Sequence, residues 1–208
     1  MRAPGEFDGA LASGNLMASG SPAVYYAVVT LFRSGVLDEA VPIFNQAVAQ
    51  ARRRGDIFNV AFMLMWRGYC QTRRGDLRAA VADLREALDL CVAHGMLVAR
   101  PYNIAFLALA LLEQGEPDEA ARTIDQGDFP EQPPIGQVPL IWFRLSRGRL
   151  RIETGNPERG VEELLQVGET VRLVPFDNPS SVPWRRWAAE GLRLLDRNDE
   201  ARSLARRA

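Results

Sequence analysis

Glycine stands at positions 35, 75, 115 and 155, an even spacing held without slippage. Each glycine opens the same short phrase: Gly35-Val-Leu-Asp-Glu-Ala40, Gly75-Asp-Leu-Arg-Ala-Ala80, Gly115-Glu-Pro-Asp-Glu-Ala120 and Gly155-Asn-Pro-Glu-Arg-Gly160. A fifth, degraded copy reads Asp196-Arg-Asn-Asp-Glu-Ala201. A fixed period of this size is the signature of stacked supersecondary units, so it constrains the fold more than composition does. The usual product of such stacks is an extended binding surface, and the expectation is a chain that is not an enzyme.

One period resolves into two helices. Residues 57–73 hold one glycine and no proline and read as the first helix, which Gly75 stops by taking the left-handed conformation. Residues 78–94 carry Ala80, Val81, Leu84, Ala87, Leu88 and Cys91 at i, i+3, i+4, i+7 spacing, and His94-Gly95 closes this second helix. Pro117 and Pro157 sit at first helical positions, where a missing N–H costs nothing, and Asn156 can cap. Small residues recur at 40, 80, 120, 160 and 201, and large apolar ones follow at Phe44, Leu84, Ile124 and Leu164. Ala47, Ala87 and Gly127 return to small, with Val167 the exception. This small–large–small phrase is similar to the tetratricopeptide repeat, with HEAT-like hairpins as the alternative. The expected fold is all-α: a right-handed superhelical α–α solenoid of four to five hairpins. Residues 1–20 are weakly specified, and a single repeat domain fills 21–208, with units near 21–56, 57–96, 97–136, 137–176 and a partial 182–208. Proline-rich stretches at 127–139 and 175–183 interrupt it, the first shortening the helix before it. Both ends read as cut, as in a fragment of a longer protein.

The formal net charge of −1 gives no electrostatic footprint for nucleic acid or an anionic membrane. All 25 basic residues are arginine, a bias that a GC-rich genome explains. The apolar run Ile104–Leu112 is too short to span a bilayer and no signal peptide is visible, so a cytoplasmic setting is expected. Cys70 and Cys91 lie roughly 13 Å apart along their hairpin at 1.5 Å per residue, beyond disulfide reach, and read as buried hydrophobes. No metal or cofactor motif appears: His94 is the single histidine and belongs to a helix end. Asp38-Glu39, Asp118-Glu119 and Asp199-Glu200 recur at helix starts, where they stabilise N-termini.

Binding is the better expectation. In a tetratricopeptide register, the inner face of each first helix is lined by positions 2, 5, 9, 12 and 13, counting the turn glycine as 15. That register selects Tyr25 and Phe32, then Phe62, Met65, Tyr69 and Arg73, then Tyr102, then Trp142 and Arg149. Aromatic and arginine enrichment is characteristic of recognition surfaces. The opposing reading packs these aromatics into the core. Arg67 and Arg147 stand out separately. They lie two full periods apart, each precedes a glycine, and each occupies a place where the repeat wants an apolar residue. A buried arginine must be paired, so an ion pair with a neighbouring helix and a stem that snorkels to solvent are the two options.

Residues from about 20 to 208 also resemble the helical repeat region of the large ATP-binding LuxR-type transcriptional regulators, relatives of the maltose-regulon activator. The matching stretches are Arg67-Gly68, Arg74-Gly75-Asp76-Leu77, Gly115-Glu-Pro-Asp-Glu-Ala120 and Arg147-Gly-Arg-Leu-Arg151, leading to Gly155. Most specific is Asn178-Pro-Ser-Ser-Val-Pro-Trp184-Arg185, then Trp187-Ala-Ala-Glu and Asp199-Glu-Ala-Arg-Ser-Leu204. The resemblance implies a bacterial, non-catalytic sensor segment that binds a protein, peptide or small-molecule effector and allows homo-oligomers. The family's ATPase and helix-turn-helix modules have no counterpart here: a chain without lysine has no phosphate loop. A free-standing peptide-binding adaptor or scaffold is the alternative.

Overall fold

The computed structural model describes residues 37–130, 138–173 and 182–206. All regular elements among them are helices: α1 (Leu37–Arg54), α2 (Ile57–Arg74), α3 (Leu77–Ala93), α4 (Arg100–Gln114), α5 (Pro117–Asp125), α6 (Val138–Glu153), α7 (Pro157–Leu173), α8 (Trp184–Leu194) and α9 (Asn198–Ala205). The expected helices at 57–73 and 78–94 are α2 and α3, and His94 is the C-cap of α3. Pro117 and Pro157 open α5 and α7. Asp38-Glu39, Asp118-Glu119 and Asp199-Glu200 all fall in first turns. The first proline-rich stretch leaves α5 with 9 residues against 17 in α3 and α7.

Each hairpin turn is built the same way. Gly75 adopts φ 85°, and the next residue's N–H reaches back to close the helix, Asp76 N to Gln71 O at 2.9 Å. The same bond recurs from Glu116 to Leu111, Asn156 to Arg151 and Arg197 to Leu192. In the fifth copy Asp196 holds the left-handed conformation itself, at φ 58°, so the degraded phrase still makes the full turn. Gly55 and Gly95 close α1 and α3 with the same bonds, Asp56 to Ala51 and Met96 to Cys91. The glycine beat therefore has a half-beat, at Gly55 and Gly95, that the shared phrase alone does not reveal.

The chain divides into two compact units, residues through Leu97 and from Val98 onward. In the first, α2 packs on both α1 and α3. In the second, α4 and α6 lie side by side, α5 pairs with α4, α7 with α6, and α8 packs on α7 and α9. The expected small–large–small rows are the contact surfaces within hairpins. Ala40, Ala80 and Ala120 are fully buried, as are Leu84 and Leu164, while Phe44 is nearly so. Where the helices cross most closely even a methyl group is excluded. A Cβ on Gly68 would meet Leu84 Cγ at 2.6 Å, and one on Gly160 would meet the Gly148 carbonyl at 2.6 Å.

The first helices are apolar on nearly every side. In α4, Pro101 and every residue from Asn103 to Leu112 is buried, including the whole apolar run that is too short for a membrane. No helix among the described residues is long and apolar enough to cross one.

Candidate interaction surface

The register Phe62, Tyr102, Trp142 places an aromatic at the same point of three successive first helices, one period apart. In the first unit an aromatic ladder runs down α2. Phe58 stacks on Phe62 (6.2 Å between centroids, 8° between planes), Phe62 meets Trp66 edge-on, and Trp66 meets Tyr69 likewise at 6.4 Å. Phe58 is 52% exposed and Phe62 half-buried, so the upper end of the ladder faces out. The lower end does not: Met65 and Tyr69 are 1% and 2% exposed. Burial pushes the Tyr69 phenol up to about 12, although Arg73 pulls it the other way. Arg73 itself lies on the surface. Tyr25 and Phe32 lie outside the described residues.

In the second unit Tyr102 is half-buried and contacts Phe106, whose ring meets Trp142 edge-on at 5.1 Å. Trp142 is 9% exposed. Arg149 is committed internally. It donates to Glu113 on α4 (2.5 Å) and to Glu153 one turn on (2.7 Å), and lies 4.9 Å over the Trp187 ring of α8. One side chain thus touches three successive first helices. The structure brings Tyr102 and Trp142 together through Phe106, and Phe62 and Tyr69 together through Trp66. The linkers Trp66 and Phe106 were missed in the sequence, although they too stand one period apart. Phe58 and Trp187 have no such signal.

The two odd arginines are ion-paired. Arg67 forms a two-pronged bridge to Asp83 of α3, with Nε and an Nη each at 2.6 Å, and a third bond to the Asn45 amide oxygen of α1 (2.9 Å). Arg147 pairs with Glu163 of α7 and donates to the Pro130 carbonyl behind α5 at 3.3 Å. The acid follows the arginine at the same sequence separation in both. Arg151 adds a bond to Glu163 at 2.9 Å, and Arg147 rests over the Phe143 ring at 5.0 Å. Burial holds the Glu163 carboxyl above its ordinary range, against the pull of Arg147, Arg151 and Arg144. Leu107 and Thr123 occupy the corresponding places in the third repeat. Where the cation is absent, so is the acid.

Cys70 and Cys91 are both buried and form no disulfide, in keeping with their axial offset. Burial pushes their thiols up to about 12 and about 11. Among the described residues no three His, Cys, Asp or Glu side chains gather to hold a metal ion.

These hairpins define a tetratricopeptide-like α–α solenoid. Solved structures share it: a crystal structure of nearly identical TPR-like repeats assigned to a kinesin light chain of Podosopora anserina matches with TM-score 0.55 at 18% identity, covering 89% of this chain and 93% of that one. A second crystal structure of such repeats from the same organism matches with TM-score 0.57 at 17% identity, covering 88% and 89%. At that identity the likeness is one of fold. No family model matches the chain, and no curated protein matches it in sequence.

Proposed function

We propose that this chain is a protein-interaction repeat domain that binds a segment of a partner protein on its first helices. The observation that carries the reading is the aromatic register. Phe62 in the first unit and Tyr102 in the second are part-exposed at the same register place, each in contact with a buried aromatic, Trp66 or Phe106. Aromatics held rigidly by such backing lose little entropy on binding and are the side chains that dominate interface energies. Arg73 adds a surface cation at the far end of α2. Met65, Tyr69 and Trp142 act as the floor, and Arg149 lies beside it, partly neutralising Glu113 and Glu153. The partner is a protein or peptide, the setting is cytoplasmic, and self-association through the same faces is measurable by light scattering.

The test is selection of peptides from a displayed library on the purified chain, followed by fluorescence polarisation against variants. Phe62→Ala or Tyr102→Ala should weaken the selected peptides by roughly tenfold or more, as truncated anchor residues do. Selected peptides that bind both variants unchanged, with helicity intact by circular dichroism, would sink the proposal.

A finer reading makes the domain the sensor of a LuxR-type ATP-dependent regulator, in which an occupied surface relieves inhibition of ATPase and DNA-binding modules. The Asn178–Arg185 stretch and its run into the buried Trp184 at the head of α8 support it. A small-molecule effector fits this reading as well as a peptide. The genomic reading frame around the chain separates the two: a helix-turn-helix downstream supports the regulator, and an isolated repeat domain supports a free-standing adaptor.

A further inference from the structure

The two arginine pairs do more than close their own hairpins. Arg67 leaves α2, grips Asp83 on the partner helix α3, and reaches back to Asn45 on α1, the second helix of the preceding repeat. Arg147 leaves α6, grips Glu163 on α7, and reaches back to Pro130, which trails the second helix of the preceding repeat. The topology of the two ties is the same. Each joins a hairpin to the repeat before it, and each lies within a single compact unit: Asn45, Arg67 and Asp83 before Leu97, and Pro130, Arg147 and Glu163 after Val98. The register place where an intervening tie would sit holds Leu107 and Thr123, in hairpin α4–α5 that opens the second unit.

From this alternation we infer that Arg67 and Arg147 fuse neighbouring repeats into two cooperative blocks, residues through Leu97 and from Val98 onward, which open independently. In a stack of like repeats, cooperativity depends on the ratio of interface strength to repeat stability. Each acid belongs to the arginine's own hairpin, so opening the preceding repeat withdraws one further acceptor, Asn45 Oδ1 or the Pro130 carbonyl, from a guanidinium that is already largely buried. Arg67 and Asp83 side chains are 17% and 11% exposed, and Arg147 and Glu163 only 8% and 6%. Opening α1 away from α2 would also release the Asn45 bond that orients the Arg67 fork.

Native-state hydrogen exchange of the full chain, read by mass spectrometry in rising denaturant, tests this directly. Asp83→Asn should speed opening-limited exchange of α1, α2 and α3 together by roughly 30- to 1000-fold, the range for breaking a largely buried pair, and leave α4 to α9 unchanged. Glu163→Gln should do the converse, with α4 and α5 moving alongside α6 and α7. Arg67→Lys and Arg147→Lys keep the charge but lose the fork, and should give the same block patterns at smaller amplitude should either amide variant fold poorly. Three results overturn the inference: acceleration spread over every helix of the chain, acceleration confined to the substituted hairpin, and no acceleration by any of the four variants.

Discussion

Gly160→Ala sets two opposed and separable effects against each other. Position 160 lies within α7, where alanine is favoured over glycine by about 1 kcal/mol on intrinsic helix propensity, so propensity alone predicts stabilisation. Packing predicts the reverse. The new Cβ would stand 2.6 Å from the Gly148 carbonyl oxygen, 2.5 Å from Ile152 Cγ1 and 3.1 Å from the Ile152 backbone nitrogen. Separations under 3.0 Å must open, and one of the two, to the Gly148 carbonyl oxygen, is to backbone of α6, which no rotamer change removes. The hairpin has to spread by roughly half an ångström along its closest crossing, which places the cost at the upper end of the 1–3 kcal/mol typical of overpacking. After subtracting the propensity gain, the net loss is about 2 kcal/mol, or roughly 30-fold in the unfolding equilibrium. Gly191→Ala supplies the control, since its Cβ meets only side-chain atoms, Val161 Cγ2 at 2.6 Å and Ile152 Cδ1 at 2.8 Å, and no backbone. Urea unfolding followed by circular dichroism should rank Gly160→Ala as the more damaging of the two. A Gly160→Ala variant as stable as the parent would refute the claim that the α6–α7 crossing is set by backbone contact.

Further outcomes follow from the ion pair, the buried thiol and the last turn. Arg67→Leu and Asp83→Thr should each destabilise by about 2–4 kcal/mol, while the double variant, which imports the chain's own Leu107 and Thr123, returns to within about 1 kcal/mol of the parent. A rise in Tm for Arg67→Leu alone would show that the pair does not hold the hairpin. Cys70 keeps its proton when folded up to about 12, against an ordinary value of 9.0, so its contribution is complete below pH 9 and is lost as the pH rises toward 12. At pH 10.5 that loss amounts to about 2 kcal/mol, and Cys70→Ala should flatten the alkaline fall in urea midpoint; an unchanged slope contradicts the assignment. Asp196→Gly relieves a left-handed residue at φ 58° and should stabilise by roughly 1 kcal/mol, seen as a Tm increase of a few degrees.

The hairpins were legible because every signal that defines them is local. A glycine that must reverse its φ, a proline that suits only a first turn, and small residues one period apart are properties of single positions repeated in register, and α2, α3, α5 and α7 lie where those signals put them. Burial was not legible in the same way. The register selected Met65, Tyr69 and Trp142 for a surface, yet each is covered, because α2, α4 and α6 are packed on nearly all sides and a helical register says nothing of what lies beyond the first neighbour. Arg149 shows the same limit from the polar side. Its spacing marked it as a free recognition cation, but its hydrogen bonds go to Glu113 on another helix and to Glu153.

The contrast between Arg149 and Arg67 shows what a repeat can and cannot reveal. The Arg67–Asp83 pair is visible within the chain as a coordinated exchange. Two repeats carry arginine with an acid at one fixed separation, and the repeat between them carries leucine with threonine at the same two places. A snorkelling arginine would impose no condition on the residue facing it. The exchange therefore argues for contact from the sequence alone, much as covarying positions do among separate proteins. Arg149 has no such counterpart. Leu109 and Glu190 hold its register place on either side while Glu113 and Glu153 persist in two repeats, so the acids do not follow the cation. Arg149 is thus a local addition to a surface whose acids are already there. Its removal should change the charge presented by α4 and α6 from partly neutralised to acidic while the hairpins keep their pairing. Arg149→Ala measured against the selected peptides makes the distinction. Affinity that changes with the net charge of the peptide while Tm falls only slightly supports a surface role, and a collapse in Tm with no charge dependence assigns Arg149 to the fold.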